Sequence, residues 1–192
     1  MPQLIAGLLI FLGVHSVGIA APQWRTQQVA RMREGSWKLA YGAVSLVGLF
    51  LVIWGYGLAR ADPVVLWAAP AFARHLTALL TVIAFVLIAA AYVPGTRIKA
   101  ALGHPMTAGV ALWALGHLLA NGRLAALILF GSFLAWAVIT FVVRRARDRE
   151  AGRTYPAGSL ARDAIVVVIG VIASAVFALY LHGPLTGIRP FG

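Results

Sequence analysis

Leu124–Val143 reads LAALILFGSFLAWAVITFVV, 20 residues without a charge. As a helix rising about 1.5 Å per residue, such a run spans the roughly 30 Å hydrocarbon core of a bilayer. Five further uncharged apolar runs stand beside it: Leu4–Ala21, Leu39–Ala59, Leu76–Val93, Met106–Ala120 and Ala164–Leu181. The run from Met106 is the short one. Counted back to Ala100 it reaches spanning length, with Pro105 inside it or at its start. A break of that kind is tolerated where neighbouring helices bury the backbone. The whole chain agrees with this reading: 61% of its 192 residues are hydrophobic, 11% are charged and the mean hydropathy is +0.90. A soluble domain has about 45–50% apolar and about 25% charged residues. The expected fold is therefore an all-α integral membrane protein, a bundle of about six transmembrane helices forming one domain over residues 1–192.

Charge orients the bundle. Lysine and arginine number 16 against 5 acids, a formal net charge of +11. The basic residues sit between apolar runs and form no continuous face, which excludes nucleic acid as partner. Arg25, Arg31, Arg33, Lys38, Arg97, Lys99 and six arginines from Arg144 to Arg162 fall on one side of the six-span topology. Only Arg60, Arg74, Arg123 and Arg189 fall on the other. The positive-inside rule places the first group in the cytoplasm and both termini on the non-cytoplasmic side. The arginine-rich stretch then reads as a solvated connector that sets topology and attracts anionic lipid headgroups; Tyr155 within it is assigned no separate role. Trp24, Trp37 and Trp67 fall near expected interfaces, and Asp62–Ala73 reads as a segment along the outer surface. No basic residue precedes the first apolar run, which argues against a cleaved signal peptide.

The chemistry available is narrow. The chain has no cysteine, which removes disulfides, thiolate ligands and iron–sulfur clusters. No Asp or Glu lies in an apolar run, so a carboxylate relay is not expected there. Histidine remains: His15, His75, His104, His117 and His182. An ionisable residue inside a membrane span is a functional hypothesis by default. His15 lies well inside the first span and His117 inside the fourth, whereas His75, His104 and His182 sit at or near span ends.

Two intramembrane imidazoles without a carboxylate suggest a ligand, and haem, zinc, copper or a hydrogen-bonded core role all stay open at this point. Haem suits the apolar setting, because two imidazoles can bind iron on opposite faces of an apolar macrocycle. Gly7, Phe11 and Gly18 lie on or near the His15 face, and Gly109 and Trp113 lie at i−8 and i−4 from His117, with Gly116 beside it. Small residues on a helix face also serve ordinary membrane packing. His15 falls near the bilayer midplane and His117 about four residues from the outward end of its run, a depth difference of roughly 8–10 Å. By depth alone His75 and His182 pair with His117 as well as His15 does.

Several blocks together carry a family likeness. They are Tyr92-Val93-Pro94-Gly95-Thr96-Arg97-Ile98-Lys99, Gly103-His104-Pro105-Met106, Leu112 through Leu118, and Asn121-Gly122. Gly13-Val14-His15-Ser16, Trp37-Lys38 through Trp54-Gly55-Tyr56, and Thr154-Tyr155-Pro156-Ala157-Gly158 complete the set. The chain resembles the NnrU family over almost its whole length. That resemblance implies a multi-pass protein of the bacterial inner membrane with a link to denitrification. The family is in turn similar to zeta-carotene isomerase, a haem b membrane enzyme that turns a central cis double bond of a carotene to trans. By motif, that similarity implies haem b ligation by His15 and His117, with His104 in a supporting role. It also implies an apolar polyene as candidate ligand. The alternatives are a haem protein that handles nitric oxide or electrons in denitrification, and a non-catalytic membrane assembly or transport factor.

Overall fold

The computed structural model of the chain describes residues 1–190. Every regular element among them is helical: α1 (Pro2–Ala20), α2 (Pro22–Met32), α3 (Glu34–Ala61), α4 (Phe72–Tyr92), α5 (Arg97–Leu102), α6 (Pro105–Ala120), α7 (Leu124–Glu150) and α8 (Leu160–Val176). A π-helical turn (Phe177–Leu181) then leads into α9 (His182–Thr186). Five helices are long and apolar enough to cross a membrane: α1, α3, α4, α7, and α8 with its continuation to Thr186. The sixth apolar helix, α6, has 16 residues. Pro105 does not lie within it but opens it at the first turn, where a missing N–H costs no hydrogen bond. The residues before Pro105 form a separate short helix, α5, which ends at Gly103 with φ of +70°.

Contacts divide the chain into two compact units, Met1–Val64 and Val65–Gly192. The first is built on α1 and α3, with α2 joining them. Apolar side chains facing lipid supply no hydrophobic drive for pairing, so close backbone approach does. Leu4, fully buried, lies over Gly55; Gly7 lies over the Leu51–Val52 backbone, and Phe11 over Gly48. These pairs step in opposite directions along the two chains, which defines an antiparallel hairpin. A Cβ on Gly7 would sit 2.5 Å from the Val52 nitrogen, and one on Gly48 would sit 2.8 Å from that of Phe11. The 11-residue α2, which buries none of its residues, occupies what the sequence presents as a plain basic loop. Trp24 and Trp37 meet there edge to face at 5.9 Å.

The second unit is organised around α4, which packs against α5, α6 and α8. Small residues again set the distances. A Cβ on Gly109 of α6 would lie 2.8 Å from the Ala84 carbonyl, and one on Gly170 of α8 would lie 2.5 Å from the Val86 Cα. The Thr77 hydroxyl reaches across from α4 to the Gly116 carbonyl of α6 at 2.6 Å. The segment from Val65 lies against the α6–α7 turn, where the Leu66 N–H donates to the Gly122 carbonyl at 2.7 Å.

The α1–α3 contact yields a paired prediction. Gly55→Ala forces a Cβ into the Leu4 backbone, and overpacking of this kind costs about 1–3 kcal/mol. Gly57→Ala, two residues on with open space around it, is neutral or slightly stabilising. Thermal unfolding of both variants in one detergent checks this; equal midpoints would rule out the glycine contact as the determinant of the pairing.

Candidate histidine sites

In the first unit His15 sits toward the C-terminal half of α1. Its Nδ1 lies 2.6 Å from the Phe11 carbonyl one turn earlier. A carbonyl can only accept, so Nδ1 carries the proton and Nε2 is the basic nitrogen of the neutral ring. The Phe11 ring stacks on the imidazole at 4.2 Å, and Tyr41 of α3 approaches at 5.3 Å. Gly7, expected on the cofactor face of this helix, is used in the α1–α3 contact, while Gly18 has open space around it.

In the second unit His117 repeats the arrangement. Its Nδ1–H donates to the Trp113 carbonyl at 2.8 Å, leaving Nε2 as the basic nitrogen. Trp113 lies 5.1 Å from the imidazole, ring centre to ring centre, and Phe130 of α7 lies 4.8 Å away. Phe133 supports Trp113 edge-on at 5.5 Å. Two polar contacts hold this end of α6. The Thr77 hydroxyl takes up the Gly116 carbonyl, and the Asn121 side-chain amide donates to the His117 carbonyl at 2.8 Å. Gly122, the next residue, packs tightly on Trp67. The Asn-Gly pair after α6 is thus the anchor that sets where that helix stops. Gly109 faces the α4 backbone, so its lack of a side chain serves helix packing.

The other histidines separate. His75 is exposed in the first turn of α4. His182 belongs with His117: the two ring centres are 6.5 Å apart and the planes 23° from parallel. His104 is the residue before α6, and its Nε2 lies 2.7 Å from the Asp148 carboxylate.

Asp148 is a residue that the sequence pattern does not single out. The arginine-rich stretch reads as a solvated connector, but α7 runs on through it to Glu150 and buries Asp148. The one signal in the sequence is an acid set directly between two arginines, Arg147-Asp148-Arg149. Its carboxylate accepts from His104, from the Tyr155 hydroxyl at 2.5 Å, and lies 3.4 Å from Arg153 Nε. Tyr155 therefore does have a structural role. Its ring and the Arg145 guanidinium cover Gly103.

The neighbouring turn is clamped in the same way. Gly158 presses on the Thr96–Arg97 backbone, the Ser159 N–H donates to the Gly95 carbonyl at 3.0 Å, and Asp163 accepts from the Arg97 N–H at 2.8 Å. Arg162 donates to the Pro94 carbonyl at 2.6 Å. The motif blocks at residues 92–106 and 154–158 are thus parts of one docked assembly.

These features define a helical, multi-pass membrane protein with paired ring-and-carbonyl histidine settings in its apolar helices. The chain belongs to the NnrU protein family, whose profile matches residues 3–190. No curated protein and no solved structure matches it.

Asp148 lies beyond the apolar run of α7, which ends at Val143. The Tyr155 hydrogen bond, reinforced by His104, holds its carboxyl below the usual carboxylate range despite burial. Burial, with Asp148 as acceptor, pushes the Tyr155 phenol up. A lowered folded-state value means that the ionised carboxylate stabilises the fold above the ordinary value of about 3.9 and that this contribution is lost as pH falls through the lowered one. Stability in detergent is therefore expected to hold from neutral pH to about pH 5 and to decline below about pH 4. Asp148→Asn should lower stability at pH 7 and flatten the acid decline; an unchanged acid limb would exclude Asp148 as its source.

Proposed function

We propose that this NnrU-family protein spans a bacterial inner membrane six times, with both termini outside, and binds haem b. His117 would hold it through one imidazole, and His15 is the second donor that the family resemblance implies. The observation that carries this reading is the fixed tautomer: each imidazole gives its Nδ1–H to the carbonyl one turn earlier, 2.6 Å away for His15 and 2.8 Å for His117. Such a bond orients a ligating ring and raises the basicity of Nε2.

The donor set suits haem better than a bare ion. Among the described residues no group of three or more His, Asp or Glu could hold a metal ion. A porphyrin supplies four nitrogens and needs only one or two more from protein. Trp113, Phe130 and Phe133 provide an apolar aromatic wall beside His117. Bound haem would supply an iron centre for one-electron chemistry or ligation of an apolar substrate or small molecule. The chain's own contribution is to hold the imidazoles in one tautomer, exclude water and offer apolar surface. The reaction we attach is a carotene-type cis–trans isomerisation of a polyene.

The test is the absorption spectrum of detergent-purified protein, oxidised and dithionite-reduced, with a pyridine haemochrome assay after expression with ample haem supply. Stoichiometric haem b is expected, and His117→Ala should lower occupancy by about tenfold or more. A flat spectrum from the wild-type chain would overturn the reading.

A further inference from the structure

The two units use their basic residues differently. In the second unit several serve the fold. Arg162 donates to the Pro94 carbonyl, Lys99 Nζ donates to the Ala91 carbonyl at 2.8 Å, Arg153 reaches Asp148, and Arg145 covers Gly103. In the first unit, α2 and the turn after it carry Arg25, Arg31 and Arg33, all exposed. Glu34, the one acid from Pro22 to Lys38, is taken by Lys38 at 2.7 Å. Among the described residues none of the three arginines enters an ion pair.

Arg33 also has an unusual backbone. It joins α2 to α3 with φ of 63° and ψ of 152°. Among the described residues it is the one non-glycine with a positive φ. That region of backbone space is essentially reserved for glycine, because a Cβ is crowded there. A plain connector would be more stable with glycine at this position. Strain of this kind persists where the residue serves a purpose. The Arg33 side chain is exposed and in no ion pair, so its purpose lies outside the chain.

The place of the patch identifies what it meets. The uncharged run of α1 ends at Ala21 and that of α3 begins at Leu39. The residues between them therefore lie at the membrane surface, level with the lipid headgroups. An edge-to-face contact of Trp24 with Trp37 ties α2 to the first turn of α3, and tryptophan favours that depth. Helix α2 contains no acid and buries none of its residues. A cationic surface at this level complements a phosphodiester, whose oxygens fit the planar fork of a guanidinium. We propose that α2 and Arg33 form a binding surface for anionic phospholipid headgroups, with Arg31 and Arg33 as its phosphate-binding residues. The proposal goes beyond the haem reading and does not depend on it.

The experiment follows thermal unfolding of the full-length chain in one detergent, with phosphatidylglycerol or phosphatidylcholine titrated in. A ligand bound only by the folded state raises the midpoint. Phosphatidylglycerol is expected to raise it and phosphatidylcholine to leave it nearly unchanged. In the double variant Arg31→Gln/Arg33→Gln, the phosphatidylglycerol concentration giving half the shift should rise roughly tenfold or more. The charge-matched Arg144→Gln/Arg149→Gln should keep the wild-type response. Arg33→Gly should raise the midpoint without lipid, by relieving the backbone, and still weaken the lipid response. Equal weakening in the two double variants would reduce the effect to net charge and overturn the proposal. An unchanged response in Arg31→Gln/Arg33→Gln, or a lower lipid-free midpoint in Arg33→Gly, would overturn it as well. A shift with soluble polyglutamate but none with phosphatidylglycerol would assign this face to an acidic soluble partner and also overturn it.

Discussion

A donor N–H inside an apolar bundle has no water to fall back on and must find its acceptor within the chain. Three imidazoles in this protein meet that demand in the same way, through a backbone carbonyl. His15 uses Phe11 and His117 uses Trp113, each one helical turn back, whereas His182 uses Ile188, beyond its own helix. The consequence is chemical as well as structural. Once Nδ1–H is committed, the neutral ring has one basic nitrogen, and its direction is set by the helix. A fixed tautomer is what a ligand needs, so the requirement to satisfy one polar atom prepares the other.

The helices that carry these rings are placed by backbone contact. Glycines at 7, 48 and 55 bring α1 and α3 together, and Gly109 and Gly170 bring α6 and α8 onto α4. A side chain at any of these positions would push its helix away from the neighbour, and an imidazole on that helix with it. The Thr77 and Asn121 contacts then set the end of α6 around His117. At the arginine-rich end of the second unit, Asp148 gathers His104, Tyr155 and Arg153 and locks the start of α6 to the end of α7. Helix α6 is thus held at both ends by polar contacts and along its length by glycine.

Much of this is legible in the residues. Uncharged runs of bilayer length locate the core of every long helix, because hydrophobic length is a local property. Pro105 marks the short fourth run, and of the two placements the run allows, inside the helix or at its start, the helix takes the second. Val143 is a boundary in composition only. The α-helix continues past it through the arginines to Glu150, because helical hydrogen bonding does not depend on hydropathy. For the same reason α2 is invisible as a helix: its sequence PQWRTQQVARM has no apolar periodicity to signal one. Asp148 and Tyr155 cannot be joined by pattern, since their meeting depends on the turn after α7.

By itself, then, the sequence determined that this chain lives in a lipid bilayer, which segments are apolar enough to cross it, and that histidine is the residue type left to do chemistry there. Composition and run length decide these things because each segment must satisfy the bilayer on its own. Tertiary structure decided which histidines have a partner. His104 is drawn to a carboxylate 44 residues away, and His182 is brought beside His117 by a π-turn and a terminal hydrogen-bonded loop. Depth along a span gives only one coordinate of a side chain. Rotation about the helix axis and the approach of neighbouring helices supply the others, and these follow from packing between segments remote in sequence.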